Sequence, residues 1–509
     1  MDSNKRIAFN SIVIFVRLCV VSVVGLISSR LVLDALGASD FGLYNVVGSI
    51  VTLLNVFNTA MLSTTYRYIA FEVGKKDGGS PNKVFNACFA IHACFALLIL
   101  ILGLGVGDWY INNYLNVAPG KIPDALFVFH ISLLTTVLST LLVPYNGLLV
   151  AFEKFSVNAI IDVVTALMRL AAIFLFIYSD GNRIRTYSII LLVCYTLSSL
   201  SYYCYSFLKY RTIIKFRIVK TWSLYKEMLS YAFWTLFGAV AIIGKDQGGK
   251  LLINYFFGTI VNAAYAVANQ IEGFILTFAR SLSNSAIPQI TKNFSGGDEG
   301  RSLKLTCYIS KYTFLLMSVV AFPVLLEMDF LLGLWLKEIP EGAVTFCQLV
   351  VLNGLLGCLG EGIPALVNAT GNIKTYQIVY QTFNFLGLPI AFIFYKLGYN
   401  PYSILVVYCI MTFLVAFVRL YLLKRIFNFN IMSFIRVSYI KILYISIPLI
   451  VFYCFYNPSN FTNWQHVLGL LGSEVFLMID ILILGVDKEE KALMKTYANQ
   501  MVSKFKSRK

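Results

Sequence analysis

The chain has 509 residues, of which 58% are hydrophobic and only 13% are charged, and its mean hydropathy is +0.76. A soluble domain carries roughly 25% charged residues, so this composition excludes an ordinary water-soluble protein. The formal net charge of +16 would also suit a nucleic-acid-binding protein, but the basic residues are dispersed over many separate segments, which does not favour one basic binding surface. The composition therefore predicts an integral membrane protein.

Long apolar segments recur along the whole chain. A helix needs about 20 mostly apolar residues to cross a bilayer, and fourteen segments fit that description. They are residues 7–33, 41–71, 84–107, 122–149, 158–178, 186–208, 229–256, 259–290, 305–326, 343–369, 376–395, 401–423, 437–456 and 465–486. The strands of a membrane β-barrel would be about 10 residues long and of alternating polarity. We therefore predict an all-α polytopic membrane protein with about 14 transmembrane helices.

The distribution of Lys and Arg predicts the orientation of the chain. If the N-terminus is cytoplasmic, the cytoplasmic connections and both ends carry most of the basic residues outside the spans. Short basic loops stay in the cytoplasm, so we predict that both termini are cytoplasmic. The basic tail, residues 488–509, is expected to form a helix at the anionic inner leaflet. The scattered cysteines and three distant histidines predict no metal site, disulfide framework or cofactor site.

The two halves of the chain share a weak internal repeat. Gly37 recurs 221 positions later as Gly258, and Pro144 recurs 220 positions later as Pro364. Six spans in each half would make the repeats parallel, with two bundles related by an axis along the membrane normal. We predict an N-terminal six-helix lobe at residues 1–208, a basic cytoplasmic linker at 209–228, a C-terminal six-helix lobe at 229–424, and two extra helices with a basic tail at 425–509.

Several basic residues lie inside the predicted spans, where a charge costs roughly 2.5–3.5 kcal/mol or more and normally faces a cavity or a partner. The strongest candidates for a cavity lining are Arg17, Arg67 and Arg280, and the weaker ones are Lys245 and Lys250. Asp246 precedes Lys250 by one turn, so a structural ion pair is the alternative for that lysine. Lys311 and Arg419 lie near the cytoplasmic ends of their spans, and we expect them to extend to the interface.

The second predicted span carries a polar stripe along one side. At about 100° per residue, the stripe comprises Asn45, Ser49, Thr52, Asn55, Thr59, Ser63 and Arg67. The eighth span, its partner in the repeat, carries Asn269 and Glu272 beside Arg280. Small polar residues can also serve helix packing, so both interpretations stay open. A mid-span arginine, however, calls for an anion, and arginine binds phosphate oxygens with bidentate geometry. Sugar hydroxyls would then contact the Asn, Ser and Thr side chains.

Three segments carry a resemblance to a known family. They are LGASDFGLYNVVGSIVTLLNVFNTAMLSTTYRYIAFEVGKKD at 36–77, LLINYFFGTIVNAAYAVANQI followed by IPQITKNFSGGD in the second half, and PALVNATGNIK at 364–374. These segments resemble the Wzx-type oligosaccharide flippases of the multidrug and polysaccharide exporter superfamily. The resemblance implies two lobes around a central cavity that opens alternately to each side of a bacterial cytoplasmic membrane. It also implies undecaprenyl-pyrophosphate-linked oligosaccharides as substrates, for O-antigen, capsule or exopolysaccharide synthesis.

Two other functions stay open at this point. A drug or cation antiporter of the same superfamily would hold protonatable acids deep in its spans, and acids are present, but bases rival them. A membrane glycan polymerase or ligase usually needs a large external catalytic loop, and the longest external loops here are about 15 residues. We therefore expect a flippase and not an enzyme. Its expected partners are the lipid-linked oligosaccharide, membrane lipids and polysaccharide assembly enzymes, with no nucleic acid.

Overall fold

The computed structural model describes residues 3–74, 79–177, 181–295, 297–370, 373–426, 431–487 and 490–491. Every regular element in this part of the chain is helical, which confirms the predicted all-α class. The α-helices are α1 (Ser3–Leu54), α2 (Val56–Gly74), α3 (Pro81–Leu102), α4 (Asp108–Asn113), α5 (Ile122–Ala151), α6 (Phe155–Ile177), α7 (Arg183–Lys209), α8 (Arg211–Ile214), α9 (Trp222–Ser295), α10 (Glu299–Leu326), α11 (Met328–Trp335), α12 (Ala343–Gly357), α13 (Ile363–Thr370), α14 (Ile373–Lys396), α15 (Ser403–Ile426), α16 (Ile431–Phe434), α17 (Ile440–Phe455) and α18 (Asn463–Asp480). Three π-helical segments, Gly103–Gly107, Ile435–Tyr439 and Ile481–Gly485, and one 3₁₀ turn, Cys358–Gly360, extend these helices.

Twelve helical stretches in the described residues are long and apolar enough to cross a membrane. The chain is therefore a multi-pass membrane protein, but the predicted number of fourteen is not reproduced. The difference arises at α1 and α9, because each joins two of the predicted segments into one helix. A straight helix of 52 residues, the length of α1, would be roughly 80 Å long, about twice the thickness of a bilayer. An interruption within α1 therefore matters for the topology.

Glycines interrupt both long helices. Gly37 in α1 has φ 73° and ψ 167°, and Gly258 in α9 has φ 79° and ψ −168°. This region of backbone space is nearly exclusive to glycine, because a Cβ atom would clash with the chain. Gly37 and Gly258 are also a matched pair of the internal repeat. The sequence match at this position thus coincides with the same local break, while the repeat of whole lobes remains a prediction.

The chain divides into two compact units, and unit 1 comprises Met1–Val267, Trp335–Ala343 and Asn384–Ile404. In unit 1, α5 packs against α2, α3 and α7, and α1 packs against α6. Buried residues of α1, such as Val46 and Val47, share a core with Phe129 and Leu133 of α5. This packing fixes α1, α2 and α6, the helices that carry several of the candidate site residues.

Unit 2 comprises Ala268–Leu334, Val344–Phe383 and Leu405–Lys509. Its central helix is α10, which packs against α13, α17 and α18. Leu315 and Phe322 of α10 share a buried cluster with Ile445 of α17 and Leu477 of α18. The last two long helices are therefore part of the unit 2 core. The predicted boundaries near residues 208, 228 and 424 stay predictions.

Candidate functional site

Arg17, on α1, forms an ion pair with Asp162 of α6. The Nη1 atom of Arg17 lies 3.2 Å from Oδ2 of Asp162, and each side chain is about one third exposed. The Oδ1 atom of Asp162 also accepts a hydrogen bond of 3.0 Å from the Tyr202 hydroxyl on α7. The charge of Arg17 is thus balanced within unit 1. An anionic ligand would have to take the place of the Asp162 carboxylate.

Arg67, on α2, has a different partner. Its guanidinium lies 4.1 Å from the centroid of the Tyr231 ring on α9, and its side chain is exposed. Among the described residues, no carboxylate lies within ion-pair distance of Arg67. A guanidinium that stacks on a ring keeps its N–H donors available at its edge. Arg67 is therefore a candidate cation that is not neutralised by a described acid.

The two lysines of α9 contact neutral oxygen atoms. Lys245 is buried, and its Nζ atom donates to Oδ1 of Asn384 on α14 at 2.9 Å. The Nζ atom of Lys250 donates to Oε1 of Gln247 at 3.1 Å. The carbonyl oxygen of Lys250 accepts a hydrogen bond of 2.6 Å from the buried Asn262 side chain, across the Gly258 break. These contacts hold both lysines within unit 1.

The helix predicted for residues 41–71 is not continuous. The α1 helix ends at Leu54 and α2 begins at Val56, so Asn55 lies at a break. The side chains of Asn55 and Asn58 hydrogen-bond each other, and the backbone N–H of Asn58 donates to the Asn55 carbonyl at 3.0 Å. Asparagine side chains compete with the helical pattern in this way. The predicted continuous helix is therefore interrupted at Asn55, and the polar stripe that spans this position stays a prediction.

The first part of the polar stripe binds its own helix. The side chains of Asn45, Ser49 and Thr52 each donate a hydrogen bond of 2.8 Å to the carbonyl oxygen four residues earlier. Ser49 is fully buried and Thr52 is exposed. These contacts favour a packing role for Asn45 and Ser49. The side chains of Thr59 and Ser63 lie outside the described residues.

The predicted residues of the later part of α9 belong to unit 2. Asn269 is half-buried, and its Nδ2 atom is buried without a hydrogen-bond partner among the described residues. Glu272 is half-buried. The side chain of Arg280 lies outside the described residues. The prediction that these residues share a site with Arg17 and Arg67 therefore stays a prediction.

A cluster around Arg169 on α6 is absent from the sequence-based site. Its Nη1 atom donates to the Tyr195 hydroxyl at 3.2 Å, and its Nε atom is buried with no partner among the described residues. Tyr187 of α7 packs edge-to-face on Tyr44 of α1, with ring centroids 5.0 Å apart. Asp162, the acid on the same helix, pairs with Arg17, and a second mid-span arginine on that helix is the signal that could have pointed to these tyrosines.

Neither a protein-family model nor a curated protein sequence matches the chain. Solved structures do match it over most of its length. An inward closed conformation of the lipid II flippase MurJ is 16% identical, with a TM-score of 0.67, over 92% of this chain and 98% of that chain. An inward-facing multidrug resistance MATE transporter of the MOP superfamily is 15% identical, with a TM-score of 0.68, over 83% and 99%. A MATE structure in the bent conformation is 15% identical, with a TM-score of 0.60, over 86% and 97%. The chain therefore shares its fold with these solved structures.

The side chain of Lys311 does not extend to the protein surface, contrary to the expectation of an interfacial lysine. It is fully buried on α10, and its Nζ atom lies 2.7 and 2.8 Å from the two carboxylate oxygens of Glu490. Burial opposes ionisation of Glu490, but the hydrogen bonds from Lys311 and from the backbone N–H of Asp487 hold its pKa below the usual value. Close pairing offsets the cost of removing both charges from water.

Arg419 is also held inside unit 2. Its Nη1 atom donates to the Gly360 carbonyl at 2.9 Å, and its guanidinium lies 4.2 Å from the centroid of the Tyr380 ring. Its Nε atom is buried. The expectation of an interfacial side chain is therefore wrong here as well, because a local carbonyl and a ring provide the partners.

Proposed function

We propose that this protein is a flippase that moves undecaprenyl-pyrophosphate-linked oligosaccharide repeat units from the inner to the outer leaflet by alternating access. It would act in a bacterial cytoplasmic membrane, with both termini cytoplasmic, during O-antigen, capsule or exopolysaccharide synthesis. In this proposal the chain crosses the membrane fourteen times, with the breaks at Gly37 and Gly258 separating two crossings each.

The observation that carries the proposal is the environment of Arg67. The guanidinium of Arg67 lies over a ring and has no described acid partner, so its charge and its N–H donors are available to an anionic group. A pyrophosphate offers several oxygens to the planar guanidinium. Arg17 would join it by exchanging Asp162 for a phosphate oxygen, and Lys245 and Lys250 would add positive potential.

The likeness to MurJ supports a lipid-linked cargo. That protein is a lipid II flippase, and this chain shares its fold over 92% of its length. The half-buried amide of Asn269, with an unsatisfied donor, is suited to a sugar hydroxyl. We assign Asn269, Glu272 and Arg280 to the same substrate path.

The proposal is tested with purified protein in liposomes. A fluorescent undecaprenyl-pyrophosphate glycan is placed in both leaflets, and a reagent that cannot cross the membrane quenches the outer pool. We expect the protein to make the inner pool accessible, and we expect Arg67→Ala at equal protein density to slow this step. Equal rates in empty and protein-containing liposomes would exclude the flippase.

A cation antiporter is the second candidate, because a MATE transporter fits the chain with a TM-score of 0.68. The ion pair of Arg17 with Asp162 gives this alternative a carboxylate that could exchange its partner. The discriminating measurement is efflux of a cationic dye driven by a proton or sodium gradient in the same liposomes. Dye efflux without glycan movement would favour the antiporter.

A further inference from the structure

A basic cavity lies in unit 1, between the start of α3 and the segment around α8. Its volume is about 660 Å³, and its walls are residues 79–83 at the start of α3 and residues 212–213 and 217–221, in and after α8. The second wall belongs to the segment that joins α7 to α9. A cavity of this size can hold a charged headgroup.

The charged side chains in the described part of the lining are all basic. They belong to Lys83, Arg217 and Lys220. None of these three side chains forms an ion pair or a hydrogen bond with another residue that the structure describes. The Oε2 atom of Glu72 accepts a hydrogen bond of 2.8 Å from the backbone N–H of Ser80, one of the lining residues. Three cations around one space repel one another, and an anion between them removes that repulsion.

Two asparagines hold the cavity wall in place. The Nδ2 atom of Asn82 donates to the carbonyl oxygens of Ile213 and Lys215 at 2.7 Å each. Asn86, which is buried, donates to the Lys215 carbonyl at 3.0 Å and accepts from the backbone N–H of Arg217 at 3.0 Å. The extended segment that carries Arg217 and Lys220 is thus fixed before any ligand arrives, which lowers the cost of binding.

Large apolar side chains stand beside these cations. Phe216, Ile218 and Trp222 are each more than 70% exposed, and they alternate with the basic residues of the segment. Aromatic and basic residues together are typical of the membrane–water interface, where rings enter the headgroup layer and cations meet anionic lipids. The anion that fits the cavity is therefore one presented by the membrane surface.

We propose that this cavity binds the phosphate of an anionic phospholipid headgroup, with Phe216, Ile218 and Trp222 inserted in the same leaflet. Lys83, Arg217 and Lys220 contact the phosphate oxygens. The choice of the inner leaflet rests on the proposed topology, but binding itself does not depend on the transported substrate. The bound lipid would anchor the segment between α7 and α9 to the membrane.

The test uses full-length protein in mild detergent with phosphatidylglycerol or phosphatidylcholine of identical acyl chains, and native mass spectrometry counts the bound lipid. The cavity triple variant is Lys83→Gln, Arg217→Gln, Lys220→Gln. The matched control is Lys209→Gln, Arg211→Gln, Lys226→Gln, which removes the same charge from residues in or next to the segment between α7 and α9 that are not among the described lining residues. We expect the cavity triple to lose about tenfold or more in affinity for phosphatidylglycerol, and the control to lose much less.

Equal losses in the two triples, or equal binding of the two lipids by the wild type, would overturn the proposal. Displacement of phosphatidylglycerol by millimolar inorganic phosphate would assign the cavity to free phosphate instead of a lipid. If the triple does not purify, the exposed single variant Arg217→Gln should still show a loss of about threefold. No glycan is present in this measurement, so its failure and a failed flippase assay are distinguishable.

Discussion

Lys311 on α10 in unit 2 and Arg67 on α2 in unit 1 are both basic residues on helices, but their partners differ. Lys311 is fully buried against both oxygens of Glu490, whereas Arg67 is exposed and lies over the neutral ring of Tyr231. The carboxylate of Glu490 largely neutralises the charge of Lys311, so little electrostatic attraction remains for a ligand. A cation over a ring keeps its charge. The comparison distinguishes the structural role of Lys311 from the substrate-binding role proposed for Arg67. Arg17 is intermediate, because it is paired with Asp162 but about one third exposed.

The largest effect is expected from breaking the buried pair. Either Lys311→Met or Glu490→Gln should destabilise the protein by about 3–5 kcal/mol, because one charge is left buried alone. The midpoint of unfolding of the purified protein measures this loss. The double variant should be less destabilised than either single variant. As a control, Asp34→Asn breaks the exposed pair with Lys337 and should cost less than about 1 kcal/mol. A similarly small loss of stability in the Lys311 or Glu490 variant would contradict a structural role for this pair.

The second prediction concerns Arg67. Arg67→Ala should slow glycan movement about 10- to 100-fold, the equivalent of a lost charged hydrogen bond of about 1.5–3 kcal/mol. Arg67→Lys should keep part of the rate, because the charge stays but the bidentate geometry is lost. The control is Arg425→Ala, since Arg425 also lies over a tyrosine ring, that of Tyr421, at 5.3 Å. Full transport by Arg67→Ala would contradict the comparison.

The intermediate case is the pair of Arg17 and Asp162. Arg17→Ala should slow transport about tenfold, at the lower end of a charged hydrogen bond. The charge-neutral double variant Arg17→Gln, Asp162→Asn separates the two roles. If Arg17 binds phosphate, this variant also transports slowly, and we expect that result. Wild-type transport by the double variant would show that Arg17 serves only to balance Asp162.

The smallest effect is expected at Tyr231. Tyr231→Leu removes the ring beneath Arg67 and should slow transport about two- to fivefold, in line with about 0.5–1 kcal/mol for an exposed cation–π contact. Tyr231→Phe keeps the ring face and should transport like the wild type. A similar loss in both variants would point to the hydroxyl group and not to the ring. The liposome assay measures both.

The sequence predicts the helices well where apolar runs are bounded by polar loops. The predicted segment 122–149 corresponds to α5, Ile122–Ala151, because Lys121 and the turn before it interrupt the apolar pattern. The repeat also singles out Gly37 and Gly258, which have matching backbone conformations. Both features depend on residues close together in the chain, so hydropathy and local backbone preference suffice.

The partners of the buried charges could not be predicted in this way. Glu490 is 179 positions from Lys311, and no helical spacing relates them. The sequence predicts an interfacial side chain for Lys311, because this lysine lies near the end of a hydrophobic span. In the folded protein the segment with Glu490 covers it. The break at Asn55 was missed for a different reason. It depends on a side-chain hydrogen bond to Asn58 that average helix propensities do not contain.

The backbone conformations at Gly37 and Gly258 suit D-amino acids better than L-amino acids, because φ is positive at both positions. A Cβ atom on Gly37 would meet no atom within 4 Å, so an L-alanine there has room, and its cost would come only from the backbone, roughly 1–3 kcal/mol. A D-alanine prefers the mirror-image region that includes this conformation, so it should fit where its L-enantiomer is strained. At Gly42 the limit is space, because the Cβ atom of an L-residue would lie 1.8 Å from the Thr259 carbonyl oxygen, so an L-alanine there would require the two backbones to move apart.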